Sequence, residues 1–130
     1  MEHKCSLTVR AYECDSYGHV NNAVYLNYLE YARHEFLNSL DITLKTFREM
    51  GFSLIVTRMC IDYKRQAVEG DLLDIITVPI KKNKASGVFK QTVLHNEEVI
   101  IEAEVTWVCV DSKMRPTRIP AGLDIPELEP

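Results

Sequence analysis

Only one long stretch of this 130-residue chain has the apolar spacing of a helix, and almost everything after it alternates like strand. From about Asn22 to Leu40, residues Tyr25, Tyr28, Leu29, Ala32, Phe36, Leu37 and Leu40 recur on one helical face. Asn27, Glu30, Arg33, His34, Glu35 and Asn38 take the other face. Asn21 or Asn22 suits the cap, and Glu30 precedes Arg33 and His34 at spacings that support a helix slightly. The apolar side is broad and rich in tyrosine, which predicts a helix wrapped by a sheet rather than laid on a surface. Leu44 to Met50 predicts one more short helix, ended by Gly51.

Ahead of the long helix, Ser6 to Tyr12 alternates, with Leu7, Val9 and Ala11 expected inward, and Glu13 to Asn21 reads as a loop. Beyond Gly51 the strand patterns run over Ser53–Arg65, Leu72–Lys82, Gly87–His95 and Val99–Val110. Val68-Glu69-Gly70-Asp71, Asn83 to Ser86 and His95-Asn96-Glu97-Glu98 are short, polar, hairpin-length connections between these four strands, and Pro116, Pro120, Pro126 and Pro130 keep the tail irregular. One helix followed by a meander predicts a single α+β domain over residues 1–130, its sheet curled around the helix. Such a sheet has long open edges, so pairing with a second copy into one continuous sheet is expected.

Composition narrows the function. Hydrophobic residues make up 46% and charged residues 26%, as in an ordinary domain with a real core. The net charge of −4 argues against nucleic acid or an anionic membrane as partner. The start carries no basic segment leading into an apolar run, so no signal peptide is expected. No apolar run reaches the roughly 20 residues of a membrane span. Cys5, Cys14, Cys60 and Cys109 form no C-x-x-C pair, so neither a zinc ribbon nor a redox motif is indicated, and reduced thiols in a cytoplasmic protein are expected.

Chemistry concentrates in Asp15-Ser16-Tyr17-Gly18-His19-Val20-Asn21-Asn22, where a carboxylate, an imidazole and two amides fall within eight residues just ahead of the helix. A helix start offers free N–H groups and a positive dipole end. An acyl oxygen can sit on those N–H groups while the carboxylate acts on the carbonyl carbon, or on a water beside it. On a purely structural reading, Asp15 is a loop carboxylate, His19 holds a turn, and Asn21 and Asn22 cap the helix. Capping and catalysis are compatible here, because a capped helix start still presents free N–H groups. Tyr25 stands close enough to the helix start to line an acyl pocket.

The arrangement resembles the hotdog-fold thioesterases of the 4-hydroxybenzoyl-CoA thioesterase type. The residues that carry the likeness are Tyr12-Glu13-Cys14-Asp15, Gly18-His19-Val20-Asn21-Asn22 and Tyr25-Leu26-Asn27-Tyr28-Leu29-Glu30. H-V-N-N-x-x-Y is similar to the acyl-carrier-protein thioesterases of plastids. Asp15-x-Tyr17-Gly18-x-Val20-Asn21-Asn22-Ala23-Val24-Tyr25, Arg33-His34-Glu35-x-Leu37 and Arg115 to Pro120 look like the acyl-lipid thioesterases. The resemblance implies hydrolysis of an acyl-CoA or acyl-carrier-protein thioester, with Asp15 as nucleophile or general base and the Asn22 N–H on the thioester oxygen. His19 would orient Asp15, hold a water or contact the next subunit. Tyr17, Gly18, Asn21 and Tyr25 would border the substrate. No metal or other cofactor is implied, and a homodimer or homotetramer is.

Lys81, Lys82, Lys84 and Lys90 form the one basic cluster in this acidic chain. They are either a solvated hairpin or, with Ser86, a seat for coenzyme A phosphates or for the acidic face of a carrier protein. Three other readings compete. Cys14 and His19 form a nucleophile pair in the first. In the second the fold serves an enoyl-thioester hydratase or dehydratase, although the D-x-N-P-x-H pattern of those sites is absent. In the third it is a non-catalytic module that binds acyl groups or carrier proteins.

Overall fold

The helix-period stretch forms α1, Val24–Asn38, in a computed structural model that describes every residue from Met1 to Pro130. Tyr25, Tyr28, Leu29, Ala32, Phe36 and Leu37 of α1 are buried, as the spacing predicts. The helix starts two residues later than expected, because Asn21 organises a tight turn first. Its side-chain Oδ1 accepts the Ala23 N–H at 2.9 Å and its backbone carbonyl accepts the Val24 N–H at 2.9 Å. At the other end the chain turns out through Asp41 at φ 57°, so Leu40 falls outside the helix. A short α2, Leu44–Glu49, is capped by Thr43, whose Oγ1 accepts the Thr46 N–H.

Five strands surround α1: β1 His3–Thr8, β2 Ser53–Tyr63, β3 Leu72–Lys82, β4 Ser86–His95 and β5 Glu98–Val110. They form one antiparallel sheet in the order β1-β3-β4-β5-β2. This is the α+β hotdog arrangement that the resemblance implied. The connection Val68–Asp71 is not a hairpin between β2 and β3, and strands β3, β4 and β5 make three of the four strands of the expected meander. β2 does not precede it in space, because α1 carries the chain across the sheet and β2 emerges on the far edge beside β5.

The first strand is shorter and earlier than its alternation suggested. β1 stops at Thr8, and Ala11–Glu13 curls into a 3-10 turn that leaves Ala11 exposed rather than inward. The Glu13 side chain causes this, since its Oε1 accepts the Arg10 N–H at 2.8 Å and draws the chain out of the sheet.

Two apolar clusters fill the fold. One lies under the first half of α1 and includes Tyr25, Tyr28, Leu29, Leu73, Ile75 and Ile101. The other joins the second half of α1 to α2 and the tail through Phe36, Phe47, Phe89, Trp107, Ile119 and Leu123. The proline-rich tail is irregular as expected, yet it buries Ile119, Leu123 and Leu128 and so closes the core. No helix is long and apolar enough to cross a membrane.

Candidate active site

The polar loop before α1 is a small hairpin built on Asp15. Cys14 pairs with Val20 across it, the Asp15 N–H donates to the His19 carbonyl at 2.8 Å, and the Gly18 N–H donates back to the Asp15 carbonyl at 3.0 Å. The turn needs φ +81° at residue 18, which glycine adopts at little cost. One carboxylate oxygen of Asp15, Oδ1, accepts the Tyr17 N–H at 2.9 Å and the His19 N–H at 3.3 Å. The other oxygen has no partner in the chain, so the carboxylate is held by one arm and presents the second.

The loop is sewn to the rest of the fold on both sides. The Val20 N–H donates to the Ala67 carbonyl at 2.9 Å and His19 pairs with Val68. The Asn21 N–H donates to the Glu13 carbonyl at 2.9 Å. Because the Ala23 and Val24 N–H groups are taken by Asn21, the first free donor at the helix start is the Asn22 N–H, which has no acceptor within the chain. The Tyr63 hydroxyl donates to the Asn22 carbonyl at 3.0 Å, and the buried Tyr25 hydroxyl accepts the Ala67 N–H at 3.2 Å. Thus Asp15, Tyr17, Gly18, His19, Asn21, Asn22 and Tyr25 gather in one place, with a free carboxylate oxygen and a free N–H near a positive helix end.

Comparison with known proteins identifies the family. The model of the thioesterase-like superfamily matches residues 9–126. This chain belongs to that superfamily. A chloroplastic acyl-acyl carrier protein thioesterase of Arabidopsis thaliana is 36% identical over 127 residues, 92% of this chain and 64% of its own length. A second such Arabidopsis protein is covered over 65% of its length, so the chain spans about two thirds of these relatives. The long-chain acyl-CoA thioesterase FadM of Escherichia coli (strain K12) is 37% identical over 109 residues, 82% of each chain. Among solved structures, a probable thioesterase from Bartonella henselae superposes with a TM-score of 0.88 at 26% identity, covering 92% of this chain and 100% of that one.

In this thioesterase-superfamily chain the residues foreseen for phosphate binding are not brought to Asp15. Val68, beside His19, precedes β3, whereas Lys82 ends it. Eleven residues of strand place the two regions roughly 30 Å apart within one chain. Nor is the basic hairpin free. The Lys82 side chain is only 3% exposed and its ammonium lies 2.9 Å from an Asp124 oxygen, while donating to the Asn83 carbonyl at 2.8 Å. This corrects the picture of a solvated Lys82, because the tail folds back and covers it. Ser86 Oγ is bonded to the Asn83 amide at 3.2 Å, and Lys90 sits on the outer sheet face among Asp62, Glu102 and Glu104. Lys81 and Lys84 keep exposed side chains without an ion-pair partner near the turn.

The Cys14 thiol packs against the first apolar cluster and makes one hydrogen bond, to the Arg10 carbonyl at 3.9 Å. No group of three or more His, Cys, Asp or Glu side chains is placed to hold a metal ion.

In the sequence Glu13 stands only as part of the run Tyr12–Asp15, with no role of its own. It is buried, and its two oxygens receive the Arg10 backbone N–H, the Arg10 guanidinium at 3.1 and 2.6 Å, and the Tyr28 hydroxyl at 2.8 Å. Burial by itself pushes this carboxyl up, but the hydrogen bonds from Arg10 and then Tyr28 outweigh it and hold Glu13 below the ordinary glutamate value. The Tyr28 hydroxyl is pushed up by burial and by the same carboxylate. In a loop that is polar throughout, a buried acid looks like its exposed neighbours; the only local hint was Arg10 three residues earlier.

Proposed function

We propose that this chain hydrolyses acyl thioesters of coenzyme A or of an acyl carrier protein. The observation that carries this reading is the Asp15 carboxylate, pinned through Oδ1 and open at its other oxygen, in the same loop as the acceptor-free Asn22 N–H. A thioester is already activated, so one carboxylate and one oxyanion donor suffice. The thioester oxygen lies on the Asn22 N–H, where the helix dipole favours the charge that develops in the transition state. Asp15 takes a proton from water as the water oxygen attacks the carbonyl carbon, or attacks that carbon itself to give an anhydride that water then opens. In both routes the C–S bond breaks and the thiolate leaves with the electron pair. His19, anchored by its backbone to Asp15 and Val68, orients the loop and the water.

The working unit in this reading is at least a homodimer, with each site lined by both chains. Asp15, Tyr17 and Asn22 are exposed in the single chain, and Tyr17 is 83% exposed. β2 is an edge strand carrying the exposed apolar side chains Val56 and Tyr63. A cleft of about 100 Å³ between α1 and that edge, lined by Leu37, Leu44, Leu54, Val56, Phe89 and Trp107, is the best apolar seat for an acyl group. An active monomer in light scattering at working concentration would defeat the shared site.

The test of activity is a thiol-release screen over short, long and aromatic acyl-CoAs with one acyl-carrier-protein substrate. Release from at least one is the expected result. Binding without release identifies a non-catalytic module, and hydration of crotonyl-CoA without release identifies a hydratase.

A further inference from the structure

Glu13 is the one buried carboxylate in the chain, and the hydrolysis described above does not use it. It stands two residues before Asp15 and joins three parts of the fold. Its side chain grips Arg10, where the chain leaves the sheet after β1. The same carboxylate accepts the Tyr28 hydroxyl, more than one turn into α1. Its backbone carbonyl holds the N–H of Asn21, the residue immediately before the free Asn22 donor. The hairpin that bears Asp15 and the helix start that bears Asn22 therefore hang from the same residue. Glu13 itself is buried.

Resting on the reading of Asp15 and Asn22 as base or nucleophile and oxyanion donor, we propose that Glu13 is a positioning residue: through Arg10 and Tyr28 it sets the Asp15 carboxylate at its working distance from the Asn22 N–H. The Arg10 guanidinium is half in solvent, so its pairing contributes little stability for its own sake. Its consequence is geometric. Arg10 and Tyr28 tie Glu13 to a loop whose other outside supports are backbone contacts to Ala67 and Val68 and the Tyr63 hydroxyl on the Asn22 carbonyl, and a reacting group displaced by about 1 Å can lose about 10²-fold in rate.

Glu13→Gln keeps the size of the side chain but removes its charge and one of its acceptors. The amide then turns a donor toward Arg10 or toward Tyr28, and one arm of the bridge opens. The test compares Glu13→Gln in the parent protein with Glu13→Gln in an Asp15→Asn background, measuring kcat and KM by thiol release and folding by thermal melt. In the parent, kcat should fall by about 10- to 100-fold with KM within about twofold. In the Asp15→Asn background the same change should alter the residual rate by less than about twofold, because there is no carboxylate left to position. Equal losses in both backgrounds would mean a general loss of folded protein and overturn the proposal, as would a parental kcat in Glu13→Gln. If Glu13→Gln does not fold, Tyr28→Phe decides, since it removes a single bond from the bridge. It should lower kcat several-fold with Asp15 present and leave the Asp15→Asn rate unchanged; the opposite pattern overturns the proposal. An Asp15→Asn protein as active as the parent defeats the catalytic reading of Asp15 itself, an outcome distinct from each of these.

Discussion

The loop Asp15–Asn22 and the hairpin Lys81–Ser86 look alike in sequence: each is a short polar connection crowded with groups able to bind or react. In the structure they differ in what is left over. In the first loop the backbone satisfies itself and leaves one Asp15 oxygen and the Asn22 N–H without partners. In the second, the tail and the turn engage Lys82, Asn83 and Ser86 with one another and with Asp124. A candidate functional group is one that the fold positions and then leaves unpaired. A charge that the fold neutralises belongs to stability.

The widest gap between the two regions should appear on replacing Asp15. Asp15→Asn is expected to lower kcat by about 10²–10⁴, the range of a positioned acid–base group, with substrate affinity retained and the melting temperature nearly unchanged. Asp15→Ala should be run beside it, because asparagine can deamidate back to aspartate. Near-parental turnover in both would break the comparison on the loop side and return attention to Cys14.

The mirror experiment is Lys82→Ala. It strands Asp124 and releases the tail that carries Leu123 and Leu128, so stability should fall by about 1–3 kcal/mol, read in thermal or urea unfolding. The chemical step of substrate already bound should be unaffected. A fall in kcat without loss of stability would show that the hairpin serves the reaction after all.

Acid titration sharpens the comparison within the loop itself. The folded Glu13 carboxyl is held below its ordinary value of 4.5, so the stability it contributes is fully present above that pH. It is lost as pH falls through the lower folded value. The parent should therefore lose stability below about pH 4.5 more steeply than Glu13→Gln, as measured by melting temperature against pH; parallel curves would contradict the hydrogen bonds from Arg10 and Tyr28 as the hold on a charged Glu13.

The smallest effect is expected at Lys84, an exposed lysine of the hairpin turn. Lys84→Ala should raise KM for acyl-CoA by no more than a few-fold and leave kcat unaltered, since a phosphate contact is alike in ground and transition states. An unchanged KM would remove Lys84 from substrate binding.

Much of this was legible in the chain. The helix and its buried stripe of Tyr25, Leu29, Ala32 and Phe36 follow from spacing alone, because a helix must bury whatever recurs on one face. The strand segments follow from alternation, and the crowded loop from the density of reactive side chains in front of a helix start. Tertiary structure decided what depends on residues far apart in sequence. It placed β2 on the far edge, since one helix crossing the sheet determines where the next strand emerges. It also brought Asp124 onto Lys82 across 42 positions and Tyr28 onto Glu13 across 15. Periodicity reports which face of an element is apolar, whereas the partner of a polar group is set by the whole path of the chain. The sequence by itself therefore determined the elements and pointed to Asp15, and only the folded chain decided that Asp15 keeps a free oxygen while Lys82 has no free charge.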